Sequence, residues 1–349
     1  MFIISYIDKK TCRIITHETN VITDTNIISV EKNNGYIMYL YEEAQKILAT
    51  NIRKRYTTHK KKKSNGKYRR IDIPDEKIKK YMREVCKIFT SKYNFVFPEC
   101  VGAYVKDRSI EQAVSKHTNS HSIMKFDIQD FFGNCTLEIV MDALKQIYPF
   151  CIIDANILET IIKACMIEYD GKYRLPQGGP SSPLLSNLAM IPIDYKLANY
   201  AAVSKKISIT RYADDIFFSF KFKANACTFF NVYSLVTKEL KNAGFTLNND
   251  KTQFHKTYYG NIWMLGISVG NTMKIGSKNK QYVKAMIWTF LRDTQDGNIW
   301  TIQEVQKLVG KVNHYRHIEP DFINDIIHKY EKKTNMNYNE SVKNILCHK

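Results

Sequence analysis

Ile207-Ser208-Ile209-Thr210-Arg211-Tyr212-Ala213-Asp214-Asp215-Ile216-Phe217-Phe218-Ser219-Phe220 sets two adjacent carboxylates between two apolar runs. The pattern reads as strand, tight turn, strand, with the acids at the tip. Turn chemistry alone favours aspartate, so the pair by itself also fits a plain turn. Its weight grows with a third acid, because two-metal phosphoryl transfer holds cations about 3.5–4 Å apart with ligands from more than one chain segment. Asp127 is that acid. It ends Ser122-Ile123-Met124-Lys125-Phe126-Asp127, a strand with Ile123, Lys125 and Asp127 on one face and Met124 and Phe126 on the other. A strand-end aspartate capping the next helix remains an alternative here.

Between the two carboxylate segments, Leu175 to Met190 reads LPQGGPSSPLLSNLAM. Gly178, Gly179 and Pro180, followed by Ser181-Ser182-Pro183, make a loop that leads into an apolar helix from near Leu184. Such a loop lets backbone approach a flat ligand, and Gln177 offers an amide to a sugar or base. A bland connector of the same composition stays open.

Length and charge bound the rest. The chain has 349 residues, 44% of them hydrophobic, enough for a sizeable core spread over two or three subdomains. Its 52 basic and 34 acidic residues leave a net charge of +18, which indicates a polyanionic partner, and 22 Tyr with 18 Phe offer stacking surfaces for unpaired bases. Membrane-surface binding would show the same charge, so the carboxylate set is what separates an enzyme from a coating protein. No run of about twenty apolar residues occurs, and the opening MFIISYIDKK lacks a signal-peptide core. A cytoplasmic protein with no membrane partner is expected. The eight cysteines form no CxxC pair and no zinc-spaced cluster, and read as reduced packing residues.

In order from about Lys60 to about His317, DIQDFF, LPQGGPSSP and YADD resemble the motifs of bacterial reverse transcriptases of the retron and defence-associated group, related to the group II intron enzymes. The resemblance implies an α+β right-hand polymerase of fingers, palm and helical thumb, with an antiparallel palm sheet. Its divisions would be an amino-terminal extension over 1–36, fingers over 37–120 with a basic hairpin at 53–73, a palm over 121–270 and a thumb over 271–349. It assigns Asp127, Asp214 and Asp215 to two Mg²⁺ ions, Phe132 to an aromatic gate under the nucleotide sugar, and Gln177 to nucleotide and template. Phe131 is then left for core packing. Tyr212 would lie against the primer end, Gly266 of Met264-Leu265-Gly266 in a primer grip, and Lys251 where it can protonate leaving pyrophosphate. A solvent-facing Lys251 in a turn is the plain alternative.

The run Arg53 to Arg70 carries ten Lys/Arg and no acid. A solvated or disordered face has that composition. Ser64-Asn65-Gly66 reads as a hairpin turn and Tyr68 to Ile73 as the strand after it. A basic hairpin suits triphosphate oxygens, with arginine as a fork and lysine as a point charge, and the family's fingers hairpin stands here. Lys62 or Lys63, with Arg69, are the candidates.

Two retron signatures, Asn-Ala-x-x-His and Val-Thr-Gly, correspond to Ala113-Val114-Ser115-Lys116-His117 and Met264-Leu265-Gly266. The histidine and glycine remain while the other signature residues depart, which puts a standard retron RNA in doubt. Arg108 and His117 are nucleic-acid contacts on this resemblance. The implied partners are a structured non-coding RNA serving as template and as a candidate primer, deoxynucleotides, the cDNA product, and an effector protein that reads it in phage defence. Template-independent or protein-primed DNA synthesis, and an RNA-binding scaffold without polymerisation, are the competing functions.

The remaining elements expected are two amino-terminal strands, helices near Ile37–Tyr56, Asp75–Tyr93, Leu137–Ile147 and Ala226–Ala243, and a helical last third. That third begins with Lys280–Arg292, continues with a helix opened by a Thr301/Glu304 capping box, and then one started by Pro320.

Overall fold

The computed structural model describes residues 2–7, 14–19, 33–51, 55–62, 66, 68–93, 96–256 and 262–347. These divide into two compact units, the first made of 1–109 with 124–254 and the second of 110–123 with 255–349.

A four-stranded sheet, most of it in the first unit, runs Gln253–Lys256, Ser122–Asp127, Asp215–Phe220, Ile207–Tyr212. Its last two strands form the expected antiparallel hairpin, with Tyr212 opposite Asp215 and Ile207 opposite Phe220. The strand Asp215–Phe220 is buried on both faces, Ile216 and Phe217 included. Phe126, Phe218 and Phe220 are fully enclosed, and the Phe126 and Phe218 rings meet edge-on with centroids 6.4 Å apart.

Helix Ser182–Ala202 emerges from the Gly-Pro loop and is buried along most of its length, including Leu185, Leu188, Met190, Ile191 and Leu197. A helix apolar on nearly every side belongs in a core. Helices Leu137–Leu144 and Ala226–Asn242 pack in the same cluster, and Gly244, at φ 83°, ends the latter. Helix Glu76–Ser91 is capped by Asp75, which accepts from the Ile78 N–H.

The basic hairpin pairs Tyr56–Lys62 with Tyr68–Pro74 over seven residue pairs, Lys61 opposite Arg69 and Lys62 opposite Tyr68. This shortens the helix expected over Ile37–Tyr56. It runs Asn34–Leu48, because Thr50 and Asn51 are weak helix formers and Tyr56 is already ladder-bonded. Lys63 and the Ser64-Asn65 part of the turn lie outside the described residues, while Gly66 is described and has φ 79°. The amino-terminal pair also forms, Phe2–Ile7 with Ile14–Thr19. Its buried Ile3 exchanges backbone hydrogen bonds with Gln146 (2.6 Å) and Tyr148 (3.1 Å).

Sequence reading passed over several elements, among them the strand Gln253–Lys256 and the meander strands between Ile262 and Lys274. Helix Ala155–Ala164 starts where Asp154 accepts from the Asn156 and Ile157 N–H groups. Ile167–Tyr169 and Lys172–Arg174 form a short hairpin whose Asp170-Gly171 turn has φ of 49° and 71°. Asp-Gly between strands is a strong hairpin signal, and it was present in the sequence. The helix Tyr338–Cys347 was also unexpected.

The second unit joins a three-stranded meander, Ile262–Met264, Ile267–Val269 and Met273–Lys274, to helices Ser277–Gln295, Ile302–Ile318, Pro320–Thr334 and Tyr338–Cys347. Val283, Ile287, Phe290, Val305, Leu308, Val312 and Ile323 fill its interior at helical spacing. Thr301 and Glu304 close the capping box. Helix Ile110–Ser115, which falls in the span expected for the fingers, groups with this unit instead. Glu111 lies 2.9 Å from His314 Nδ1, and the Asn119 N–H donates to the Gly270 carbonyl at 3.0 Å.

Gly178, at φ 135°, is pressed on the basic hairpin, where an added Cβ would stand 2.9 Å from the Asp72 carbonyl oxygen. Next to it the Asp72 N–H donates to the Gln177 carbonyl at 3.0 Å. We expect Gly178→Ala to cost about 1–3 kcal/mol, read as a lowered urea midpoint; an unchanged midpoint would mean that this junction gives freely.

Candidate active site

Tyr212 and Asp215 pair across the hairpin, which leaves Ala213 and Asp214 as a two-residue turn. Ala213 has φ 57°, a conformation usually left to glycine, so the turn is held rather than merely allowed. Neighbouring backbone brings the third aspartate in. The Ile128 N–H donates to the Asp214 carbonyl at 3.0 Å, and the Asn248 N–H donates to the Asp127 carbonyl at 2.8 Å. Asp127 thus ends its strand beside the turn, within the sheet that carries it.

Each of two carboxylates meets an ammonium group. Lys251 Nζ stands 2.8 Å from Asp127 Oδ1, and Lys125 Nζ stands 2.9 Å from Asp215 Oδ1. Asn248 Nδ2 donates to the other Asp127 oxygen at 3.2 Å. Burial raises the Asp215 carboxyl above its ordinary range; Lys125 opposes that shift, and the charges of Asp214 and Asp127 add to it. The hydrogen bond to Asp127 raises Lys251, with Asp214 and Asp215 contributing. All three acids therefore share one electrostatic site. Among the described residues no group of three or more His, Cys, Asp or Glu side chains stands ready-made around a metal ion. The donor set is nonetheless the hard, all-oxygen kind that Mg²⁺ takes, completed in such sites by water and phosphate oxygens.

The flanking residues divide by what they touch. Phe131 is buried, its ring 5.8 Å from that of Phe245, while Phe132 is half-buried with its ring 5.5 Å from Phe131. Gln177 Nε2 donates to Asp130 Oδ1 at 3.2 Å, and Asp130 itself has φ 41°. Arg69 and Lys62 are exposed on the basic hairpin, whereas Arg70 is tied down: its Nε donates to Asp72 Oδ1 at 2.7 Å, and its guanidinium lies 4.4 Å from the Tyr169 ring centre. Tyr212 is half-buried beside the turn. In the second unit, Leu265 and Gly266 form a two-residue turn with φ of 52° and 84°.

Two expected nucleic-acid contacts are corrected. Arg108 turns inward, donating to the carbonyls of Phe97, Pro98 and Val101, so it braces its own loop. His117 is fully buried, and that burial pushes its pKa down to about 3; a neutral, enclosed imidazole does not grip phosphate. Residues around the acids that sequence reading left unassigned are Lys125, Asn248, Asp130, Tyr104 and the buried trio Arg211, Asp194 and Asn187. Lys125 was legible, because alternation sets it on the same strand face as Asp127. Tyr104 is about half exposed at φ 59°, and its hydroxyl is raised by partial burial, with Asp214 and Tyr212 adding to the shift.

The family model for reverse transcriptase (RNA-dependent DNA polymerase) matches residues 59–284. The chain is 24% identical over 307 residues to the retron Ec83 reverse transcriptase of Escherichia coli, covering 84% of this chain and 93% of that protein. It is 28% identical over 243 residues to the retron Mx65 reverse transcriptase of Myxococcus xanthus, covering 66% and 55%. Among solved structures it is similar to apo telomerase from Candida tropicalis truncated from the C-terminal domain, at TM-score 0.47 and 12% identity, covering 65% of this chain and 56% of that one.

A carboxyl raised above its unfolded value destabilises the fold while both states are ionised, and the penalty fades as pH falls through the folded and then the unfolded value. Asp215→Asn is therefore expected to raise the Tm of the free protein at neutral pH, with the gain shrinking as the carboxylate range is approached. A lower Tm at neutral pH would contradict the electrostatic picture.

Proposed function

Because the chain belongs to the reverse transcriptase (RNA-dependent DNA polymerase) family, with more than half of its length matched, we propose that this polymerase copies a dedicated structured RNA into a short cDNA, as the retron names of its relatives suggest. The observation that carries the reading is the gathering of Asp127, Asp214 and Asp215 at the end of the sheet, with Lys125 and Lys251 bonded to two of them.

The reaction joins a primer 3′-hydroxyl to the α-phosphorus of a deoxynucleotide and releases pyrophosphate. Asp127, Asp214 and Asp215 would hold two Mg²⁺ ions, whose chemistry when bound is to lower the hydroxyl's pKa and neutralise the phosphates. Lys251, ion-paired with Asp127 but with a side chain 61% exposed, would turn toward a leaving pyrophosphate and give it a proton. Lys62, Lys63 and Arg69 would clamp the triphosphate from the basic hairpin. That hairpin is tied to the glutamine loop by the Asp72 N–H and the close seat of Gly178, so a nucleotide held by one is presented to the other. Phe132 would stand under the sugar, where its ring excludes a 2′-hydroxyl.

The RNA would serve as template and could also supply the primer; an effector reading the cDNA in a phage-defence system would complete the partners. No helix among the described residues is long and apolar enough to cross a membrane, and a cytoplasmic setting is part of the proposal. The departures at Ala113-Val114 and at Met264-Leu265 argue for an RNA that differs from the standard retron pattern.

The test is to purify the chain with its nucleic acid and sequence both strands. One abundant RNA joined to complementary DNA is expected, lost in the Asp214→Asn/Asp215→Asn variant together with at least about a thousandfold of primer extension. RNA without DNA would favour a scaffold, and DNA matching no RNA would favour untemplated synthesis. Phe132→Ala is expected to admit ribonucleotides while retaining deoxynucleotide extension; unchanged discrimination would remove the gate assignment.

A further inference from the structure

Arg211 stands one residue before Tyr212, opposite Ile216 in the hairpin, and it is completely buried. A guanidinium taken out of water costs several kcal/mol unless its donors are met. Here they are. Nε and Nη2 donate to the two oxygens of Asp194, each at 2.7 Å, and Nη1 donates to Asn187 Oδ1 at 3.0 Å and to the Ala213 carbonyl at 3.2 Å. Asp194 is 1% exposed, and both acceptor side chains belong to helix Ser182–Ala202.

The same cluster holds a third segment. The Arg211 N–H donates to the Cys100 carbonyl and its carbonyl accepts from the Gly102 N–H, both at 2.7 Å, and Asn187 Nδ2 donates to the Ala103 carbonyl at 2.8 Å. The Arg211 side chain therefore joins the helix that leaves the glutamine loop to the catalytic turn, while its backbone and the Asn187 amide hold the loop at 100–103 to the same place.

Stability alone does not explain the pair. A buried bidentate ion pair replaced by apolar groups of similar volume commonly leaves stability level or improves it. What an apolar pair cannot do is donate to Ala213, the residue held at φ 57° directly before Asp214. An alanine there stores backbone strain and persists only while its surroundings hold it.

We propose that Arg211 and Asp194 are positioning residues for the catalytic turn: Asp194 aims the guanidinium, and the guanidinium pins the Ala213 carbonyl, which sets where the Asp214 and Asp215 carboxylates stand beside Asp127. This rests on the reading of those three aspartates as metal ligands.

The test compares the wild type with Arg211→Met/Asp194→Leu, which removes both charges together, and with Arg211→Lys, which keeps the charge but not the fork. Thermal unfolding reports the fold. Mn²⁺ binding, followed by electron paramagnetic resonance on the complex with an RNA template, a chain-terminated DNA primer and a deoxynucleotide, reports the metal site apart from turnover. Primer extension then gives kcat, KM for the deoxynucleotide and the Mg²⁺ concentration at half-activity.

The double variant is expected to melt at or above the wild-type temperature, yet to bind Mn²⁺ about tenfold more weakly and to lose about tenfold or more in kcat. Its deoxynucleotide KM should stay close to wild type, and Arg211→Lys should fall between the two. A folded double variant with wild-type Mn²⁺ affinity and kcat would overturn the proposal. So would a double variant that does not fold, since the pair would then hold the core rather than the turn. Retained Mn²⁺ binding and extension in Asp214→Asn/Asp215→Asn would instead overturn the metal-ligand reading itself.

Discussion

Three aspartates held at one end of a small sheet repel one another, and the surrounding structure is organised to tolerate this. Lys125 and Lys251 each sit within 3 Å of one of the carboxylates, and Asn248 donates to a third oxygen. Even so, burial and the neighbouring charges leave Asp215 harder to ionise than a free carboxyl. A binding surface for a polyanion would have no use for that cost. A site that neutralises phosphate through cations does, because the same repulsion that strains the free protein is relieved when positive charge arrives.

Holding the acids in place falls to backbone as much as to side chains. Ala213 takes a left-handed conformation, the Asp214 carbonyl accepts from Ile128, and the strand carrying Asp127 lies next to the hairpin strand Asp215–Phe220. The basic hairpin is linked to the same region through Asp72, Gln177 and the close seat of Gly178. The parts proposed to touch triphosphate, sugar and metal are thus connected by short hydrogen-bonded paths within one unit. That suits a reaction in which placing groups supplies much of the rate.

Much of this was legible in the sequence because local patterns carried it. Alternation around Asp127, the apolar runs flanking the 214–215 pair, the capping box at Thr301 and Glu304 and the helix stop at Gly244 were each readable locally. What the sequence hid depends on long-range contact. Nothing local says that Arg211 is buried against Asp194, 17 positions away, or that Lys251 reaches Asp127, 124 positions away. Arg108 and His117 look like surface cations in a basic chain, and only packing reveals that one braces a loop and the other is enclosed. The helix expected to reach Tyr56 ends at Leu48, before the weak helix formers Thr50 and Asn51, and Tyr56 itself goes to a strand pairing that helical periodicity does not show.

The measurement that bears most directly on this account is a crystal structure of the protein with an RNA template, a chain-terminated DNA primer, a deoxynucleotide and Mn²⁺, read by the anomalous signal of the metal. Two Mn²⁺ peaks about 3.5–4 Å apart are expected beside Asp127, Asp214 and Asp215, with Lys125 and Lys251 turned off the oxygens they hold in the free protein. Anomalous peaks away from these aspartates, or a bound nucleotide whose phosphates lie elsewhere, would contradict it.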